Sequence, residues 1–368
     1  MTQYLRASAL RTIVAAIVAL AGPAASANAQ ITPAAGHTPP DDTPSVRVGV
    51  TVFADYTFQS SPEVTDAAGH SVDLNQFQVQ RAYVNVTGQV HHLLSFRITP
   101  DIARETGSGS SLSGSSEFRL KYAFGQLNLD DWMTRGSWVR FGMQQTPIID
   151  YQETVYRYRF QGPVFVDREG FLSSSDTGVS FHTNFPGNYG DLHAGIYNGD
   201  TYSKFEVNDR KGFMIRGTVR PLPMSRTLRG LRVSGFYDAD APVKGGERRR
   251  AVADVSFEHK YAHAGFIYLD ARDRSLPTAA NVDASGFSAW VTPRTTLGVE
   301  GLLRFDHLEP EATNDSRKNR TLAGVAYWLP ITRASAAFLL DFETVDYANY
   351  APPRPKEQRV AVHMLINF

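Results

Sequence analysis

The sequence predicts an all-β fold, a transmembrane antiparallel β-barrel of about 16 strands with one long inward-folded segment. Three observations carry that prediction. Segments of about ten residues alternate apolar and polar side chains from Val46 to the end of the chain. The connections between them alternate between tight and long, as in barrels with one short-turn rim and one long-loop rim. The last segment, Arg359 to Phe368, places Val360, Val362, Met364, Ile366 and Phe368 on one face. Composition agrees: 368 residues with 16 Tyr, 22 Phe and 29 Gly favour strands and turns. A mean hydropathy of -0.28 is too polar for a bundle of membrane helices.

Residues Met1 to Ala29 read as a signal peptide. Arg6 and Arg11 supply its positive start, Thr12 to Ala21 its short apolar core, and Ala27-Asn28-Ala29 the small-x-small cleavage pattern. Cleavage removes those two arginines and leaves the mature chain slightly acidic. Residues 30–45 hold several prolines among small polar residues, the texture of a flexible periplasmic leader. Residues 46–368 form the barrel domain.

Within that domain Glu117 to Phe124 is the plainest strand. Phe118, Leu120, Tyr122 and Phe124 make one face, and Glu117, Arg119, Lys121 and Ala123 the other. Leu94–Thr99, Lys211–Val219, Leu297–Glu300 and Phe338–Glu343 repeat the pattern. Tight connections fall at Val90–His92, Asp130–Gly136, Pro186–Gly190, Lys260–Ala262 and Leu329–Thr332. Long ones fall at Gly107–Ser116, Asn198–Arg210, Ala239–Glu247, Asp273–Asp283, Glu309–Asn319 and Tyr347–Lys356. Aromatics near segment ends (Tyr56, Phe58, Tyr122, Phe124, Tyr327, Trp328) suit interfacial girdles. A soluble β-sandwich would alternate too, but the girdles and the C-terminal strand weigh against it. An even strand number puts both termini on one rim, and about 16 strands leave an aqueous lumen.

One stretch breaks the rhythm. After Trp138–Gln145, alternation resumes only at Asp176. The intervening residues, with Tyr151, Arg157, Arg159, Asp167 and Arg168 among them, are too apolar and aromatic to stand in solvent. In a wide barrel they can pack on the inner wall and narrow the lumen. A surface flap or two further short strands is the competing reading.

Several chemistries are excluded. The 37 Lys+Arg balance 37 Asp+Glu, so no basic field points to nucleic acid. There is no cysteine, hence no disulfide or thiolate metal site. No Gly-x-Ser-x-Gly, Walker loop or His-Glu-x-x-His occurs. The ten histidines are scattered, with His91-His92 and His259/His263 at turns. No catalytic, cofactor or metal residue is expected.

The chain resembles the phosphate-selective porin O and P family of bacterial outer-membrane porins. The resemblance rests on Gln78–Val84, Phe118–Phe124 running to Leu127, Val139–Pro147, Asp176–Val179 and Gly195–Gly199, and spans most of Val46 to Phe368. It implies a 16-stranded homotrimer with an inward-folded third loop, and anion preference in some members. Members often carry paired arginines before the Ala of the second strand; here the pair is Gln80-Arg81, so only Arg81 carries over. The lysine-rich constriction of the phosphate-specific members is not evident. The final Phe368 looks like the signal read by the barrel-assembly machinery.

Apolar side outward, the early strands send Arg81, Arg97, Arg119, Lys121 and Arg140 into the lumen, against Asp101, Glu105 and Glu117. Arg216, Arg220 and Arg232 follow; Glu300, Asp306, Asp341 and Glu343 reverse the sign, opposed by Arg304. A water-filled lumen needs both signs for solvation, while a basic early wall would draw anions inward. The expectation is an outer-membrane porin for small hydrophilic solutes, weakly anion-preferring. The alternatives are a phosphate- or organic-acid-specific channel with a saturable arginine site, and an outer-membrane barrel enzyme.

Overall fold

The computed structural model describes residues 43–104, 111, 113–204 and 206–368. The signal peptide, most of the leader and Glu105 lie outside the described residues. Strands follow in chain order: β1 (Ser45–Thr65), β2 (Ser71–His91), β3 (Leu94–Arg104), β4 (Ser116–Asn128), β5 (Trp138–Gln145), β6 (Ser175–Asn184), β7 (Gly190–Tyr197) and β8 (Gly212–Val219). The second half is β9 (Leu231–Asp240), β10 (Glu247–His259), β11 (Ala262–Arg274), β12 (Val282–Pro293), β13 (Val299–Glu309), β14 (Arg317–Trp328), β15 (Ser335–Ala348) and β16 (Glu357–Asn367). Each pairs antiparallel with its chain neighbours, and β1 closes on β16 from Thr51↔Asn367 to Ser61↔Gln358. Ser45, placed in the leader by sequence, already belongs to β1. Closure pairs the ladder groups of every strand, which a bilayer interior requires.

Side-chain parity explains why these segments sit as they do. Val233, Tyr237, Val255, Phe266, Tyr268, Leu303, Phe305, Leu340 and Phe342 are exposed on the outside. Their neighbours Ser234, Asp238, Asp254, Arg304, Asp306, Asp341 and Glu343 are buried within. In β16 the exposed set includes Val360, Val362 and Ile366, with Ala361, His363 and Leu365 inside. β1 and β2 have 21 residues each, about twice what crossing a bilayer takes, so their hairpin extends past the long-loop rim. Asp66 closes that hairpin by accepting the Ala68 and His70 N–H groups at 2.8 and 2.9 Å. The His70 N–H leads the set of hydrogen bonds that hold its carboxyl below the usual range.

Two bulges correct the expected faces. The β1–β2 register steps at Phe53/Ala54, opposite Gln80, and the β3–β4 register steps at Thr99/Pro100, opposite Lys121. A bulge turns two successive side chains to one side. Gln80 and Arg81 therefore both face inward, as do Lys121 and Tyr122. Beyond the second bulge parity is inverted: Tyr122 and Phe124, assigned by sequence to the outer apolar face and to a girdle, are buried inside, while Phe118 and Leu120 stay exposed. Trp328 is likewise inside, packed on the inner aromatic cluster, and Tyr327 remains outside.

The long segment between β5 and β6 carries regular structure of its own: helix α1 (Pro147–Val155) and one short turn, α2 (Phe165–Arg168). Pro147 sits at the start of α1, where its missing N–H costs nothing. The segment forms the core of the molecule. Ile148, Ile149, Tyr156, Tyr158, Phe160, Phe165 and Val166 are fully or nearly fully buried with Phe53, Trp290, Leu302, Leu322, Leu339 and Leu365 of the wall. Those wall residues lie on the inward parity, so the segment fills one side of the barrel interior. The segment thus covers the inner face of β12–β16, where apolar side chains stand between the buried Glu300, Arg304, Asp306, Asp341 and Glu343; the sequence reading had made the lumen wall polar throughout.

Candidate functional site

The segment is latched to the far wall by charge. Glu300 on β13 accepts from Arg157 at 2.9 Å, from the Tyr158 hydroxyl at 2.8 Å and from Arg294 at 2.6 Å. Glu343 on β15 accepts from Gln161 at 2.9 Å and Arg359 at 2.8 Å, pairs with Arg320, and stands 3.7 Å from Arg168. Burial above all, then Arg304 and Arg320, brings the Arg168 pKa down to about 10. The Tyr151 hydroxyl meets Ser256 at 2.7 Å, and Arg304 donates to the Pro163 carbonyl at 3.2 Å while pairing with Asp306. Lys318 reaches Glu169 at 2.7 Å. Near the root of the segment Arg216 donates to the Pro147 carbonyl at 3.0 Å and pairs with Asp191. Of the late-strand carboxylates that reverse the sign of the wall, Glu300 and Glu343 are thus taken up in holding the segment, and Asp306 in holding Arg304.

Two cavities lie between the segment and β1–β4, and a larger one of about 580 Å³, bordered by Asp167, Asp176, Asp238, Arg248 and Arg250, lies between the segment and the β6–β11 side of the wall. On the side of the long loops, a cavity of about 450 Å³ is lined by Gln78, Gln80, Arg81, Arg119, Arg159 and Pro163. On the side of the termini, one of about 160 Å³ is lined by Tyr83, Asn85, Arg97, Lys121, Tyr122, Glu153 and Arg159. Arg159 borders both and stands between them.

The five cations of this passage differ in how they are held. Arg81 pairs with the buried Asp101 at 2.6 Å. Arg159 is clamped by Glu153 at 2.6 Å and Asp167 at 3.7 Å. Burial opposes charge on all three, yet Arg159 leads the groups that hold the Glu153 carboxyl below its usual range. Glu153 in turn pushes Arg159 up, and burial leaves Asp167 raised. The other three have neutral partners. Arg97 donates to Asn85 at 2.8 Å and Thr99 at 2.9 Å, with its guanidinium 4.6 Å from the Tyr122 ring centre. Lys121 donates to the Tyr83 hydroxyl at 3.2 Å, and Arg119 to the Tyr202 hydroxyl at 2.7 Å. Among the described residues no carboxylate forms an ion pair with Arg97, Arg119 or Lys121.

The remaining sequence-derived candidates fall elsewhere. Glu117 lies on the inward face of β4, nearer the long-loop rim than Arg119. Arg140 faces the terminal side of the lumen, stacked 3.8 Å from the Trp138 ring centre and bonded to Gln126 at 2.8 Å. There it borders a separate cavity of about 260 Å³ with Arg216, Arg220 and Arg232. Sequence reasoning missed Gln80, Tyr83 and Tyr202. A bulge leaves no mark in a two-residue period, and a partner from a distant loop has no local signature.

A closed 16-stranded barrel with a partly filled, charged lumen defines the class: a transmembrane β-barrel of the porin type. No family model matches the sequence, and no curated protein matches it. Solved structures do. The anion-selective porin from Comamonas acidovorans aligns with a TM-score of 0.63 and 13% identity, over 88% of this chain and 100% of its own. The outer membrane channel DcaP of Acinetobacter baumannii gives 0.60 and 11%, over 88% and 97%. The trimer form of OmpT from Vibrio cholerae gives 0.57 and 12%, over 89% and 100%. At such identities the likeness establishes the fold, that of outer-membrane porins.

Proposed function

We propose that the chain is a bacterial outer-membrane porin for passive diffusion of small hydrophilic solutes, with a modest preference for anions. The observation that carries the preference is the charge of the passage. Among the described residues Arg97, Arg119 and Lys121 have no carboxylate partner, whereas the three carboxylates Asp101, Glu153 and Asp167 pair with Arg81 and Arg159, which leaves the five cations in excess. The surplus is positive and small, which favours bias over exclusion. Arginine suits oxyanions because its planar fork stays charged and donates two parallel hydrogen bonds. The likeness to an anion-selective porin, and to a barrel recorded as a trimer, supports the same reading and a homotrimeric assembly. On this reading residues 1–29 are the export signal and the β16 strand ending at Phe368 is read by the assembly machinery. The exposed apolar belt faces lipid.

Planar-bilayer recording tests it. The purified, folded protein is expected to form stable channels whose reversal potential in a KCl gradient lies on the anion side. Absence of channels, or a cation-side potential, overturns the reading.

A further inference from the structure

Among the passage cations Arg119 is held in a singular way. The partners of Arg81, Arg97 and Lys121 are wall residues one or two strands away: Asp101, Asn85 and Tyr83. The partner of Arg119 comes instead from the connection between β7 and β8. Tyr202 lays its ring 4.8 Å from the guanidinium carbon and accepts from Nη2 at 2.7 Å. The Nε of Arg119 is buried and has no hydrogen-bond partner among the described residues. A guanidinium presents several donors in one plane, and a single phenol oxygen satisfies only a part of that fork. Arg119 is part-buried and borders the cavity, so an acceptor with two oxygens would satisfy more of its fork than the phenol does.

The base of the connection is pinned firmly enough to return Tyr202 to its place. The Gly199 N–H donates to Asp176 at 2.8 Å, Arg248 donates to the Gly199 carbonyl at 2.6 Å, and the Tyr202 N–H donates to the Ser175 carbonyl at 3.2 Å. Thr201, one residue before Tyr202, has a φ of 70°, a left-handed conformation that a β-branched residue adopts only under constraint. Beyond Tyr202, Ser203 and Lys204 are exposed, and the ties are local: Ser203 to the Thr201 hydroxyl at 3.1 Å and Asn208 to Asp200 at 3.2 Å.

We propose, resting on the channel reading above, that Arg119 is an oxyanion-binding site at the mouth of the passage and that Tyr202 is its gate. The phenol oxygen occupies the position that a carboxylate or phosphate oxygen of an entering solute takes. The solute displaces Tyr202, which closes again behind it. Arg119 supplies the charge, and Tyr202 sets how strong an acceptor must be to enter.

Channel conductance measured against sodium phosphate and, separately, sodium acetate tests the proposal. Wild-type current is expected to saturate with at least one of the two probes. Tyr202→Phe keeps the ring and removes the competing oxygen, so the half-saturating concentration should fall by about three- to tenfold. Arg119→Gln should abolish saturation while channels still form. Which probe saturates at lower concentration identifies the preferred oxyanion geometry. Linear current with both probes, or an unchanged or higher half-saturation in Tyr202→Phe, overturns the gate and leaves the porin reading standing. A wild-type protein that forms no channels removes both.

Discussion

At the scale of the residue, charge in the lumen counts only where it is not already spent on a neighbour. Parity alone treats Arg81, Arg97, Arg119 and Arg140 as equals, but Asp101 at 2.6 Å cancels most of the field of Arg81. Glu153 is the corresponding control on Arg159. Burial would raise the Glu153 pKa, but Arg159, Lys121 and Arg81 together hold it below the ordinary carboxylate range. A depressed carboxyl contributes its ion-pair energy fully above its unfolded pKa and loses it as pH falls through the lower folded value. As pH falls the passage should therefore shift toward anions first through Asp167, whose carboxyl burial raises, and again at lower pH as Glu153 is protonated. Glu153→Gln should show the acid phenotype at neutral pH, its reversal potential displaced to the anion side. It should then respond less to further acidification. An unchanged potential in this variant, measured across a salt gradient at pH 7, would mean that Arg159 does not face the ion path.

At the scale of the element, the segment 146–174 turns an open barrel into a partitioned one. Its latch carboxylates are buried and each holds several donors, so removing one leaves uncompensated charge at a cost of about 3–5 kcal/mol. Glu300→Ala strands Arg157 and Arg294 together, and noisier single-channel current is the expected sign of a loosened segment. Deleting Tyr151 to Val166 should go further and raise unitary conductance. The barrel itself should keep its heat resistance on gel electrophoresis, since the strand ladders are untouched; an unaltered conductance would place the segment out of the path. Much of this element was legible: its limits, its aromatic content and its need of a packing surface all stand in the sequence. Its resting place was legible only in part. Runs such as Leu302-Leu303 and Phe338-Leu339-Leu340 are apolar on both strand faces, which in a barrel means that something covers the inner one. The bulges at Gln80 and Lys121 left no comparable trace, because a register shift shows only when two strands are laid side by side.

At the scale of the whole molecule, the passage is built where two unlike walls face each other. The segment presses its apolar side on β12–β16 and turns Glu153 and Arg159 toward β2–β4, where the bulges crowd donors inward. Screening confines each charge to about 8–10 Å at physiological salt, so only residues of this narrow zone set the selectivity. A unit charge about 4 Å from a passing ion is worth ~1 kcal/mol even in a water-like dielectric, enough for a severalfold change in permeability ratio. Arg97→Glu and Arg119→Glu should each move the reversal potential to the cation side by that order, and the pair together further. Arg317 is half-exposed at the long-loop end of β14, 3.5 Å from Glu309, so Arg317→Glu is expected to move it little. Equal shifts from Arg317 and Arg119 would mean that the rim field selects and the passage does not. A shift confined to Arg97 and Arg119 would tie anion preference to the wall that the two bulges create.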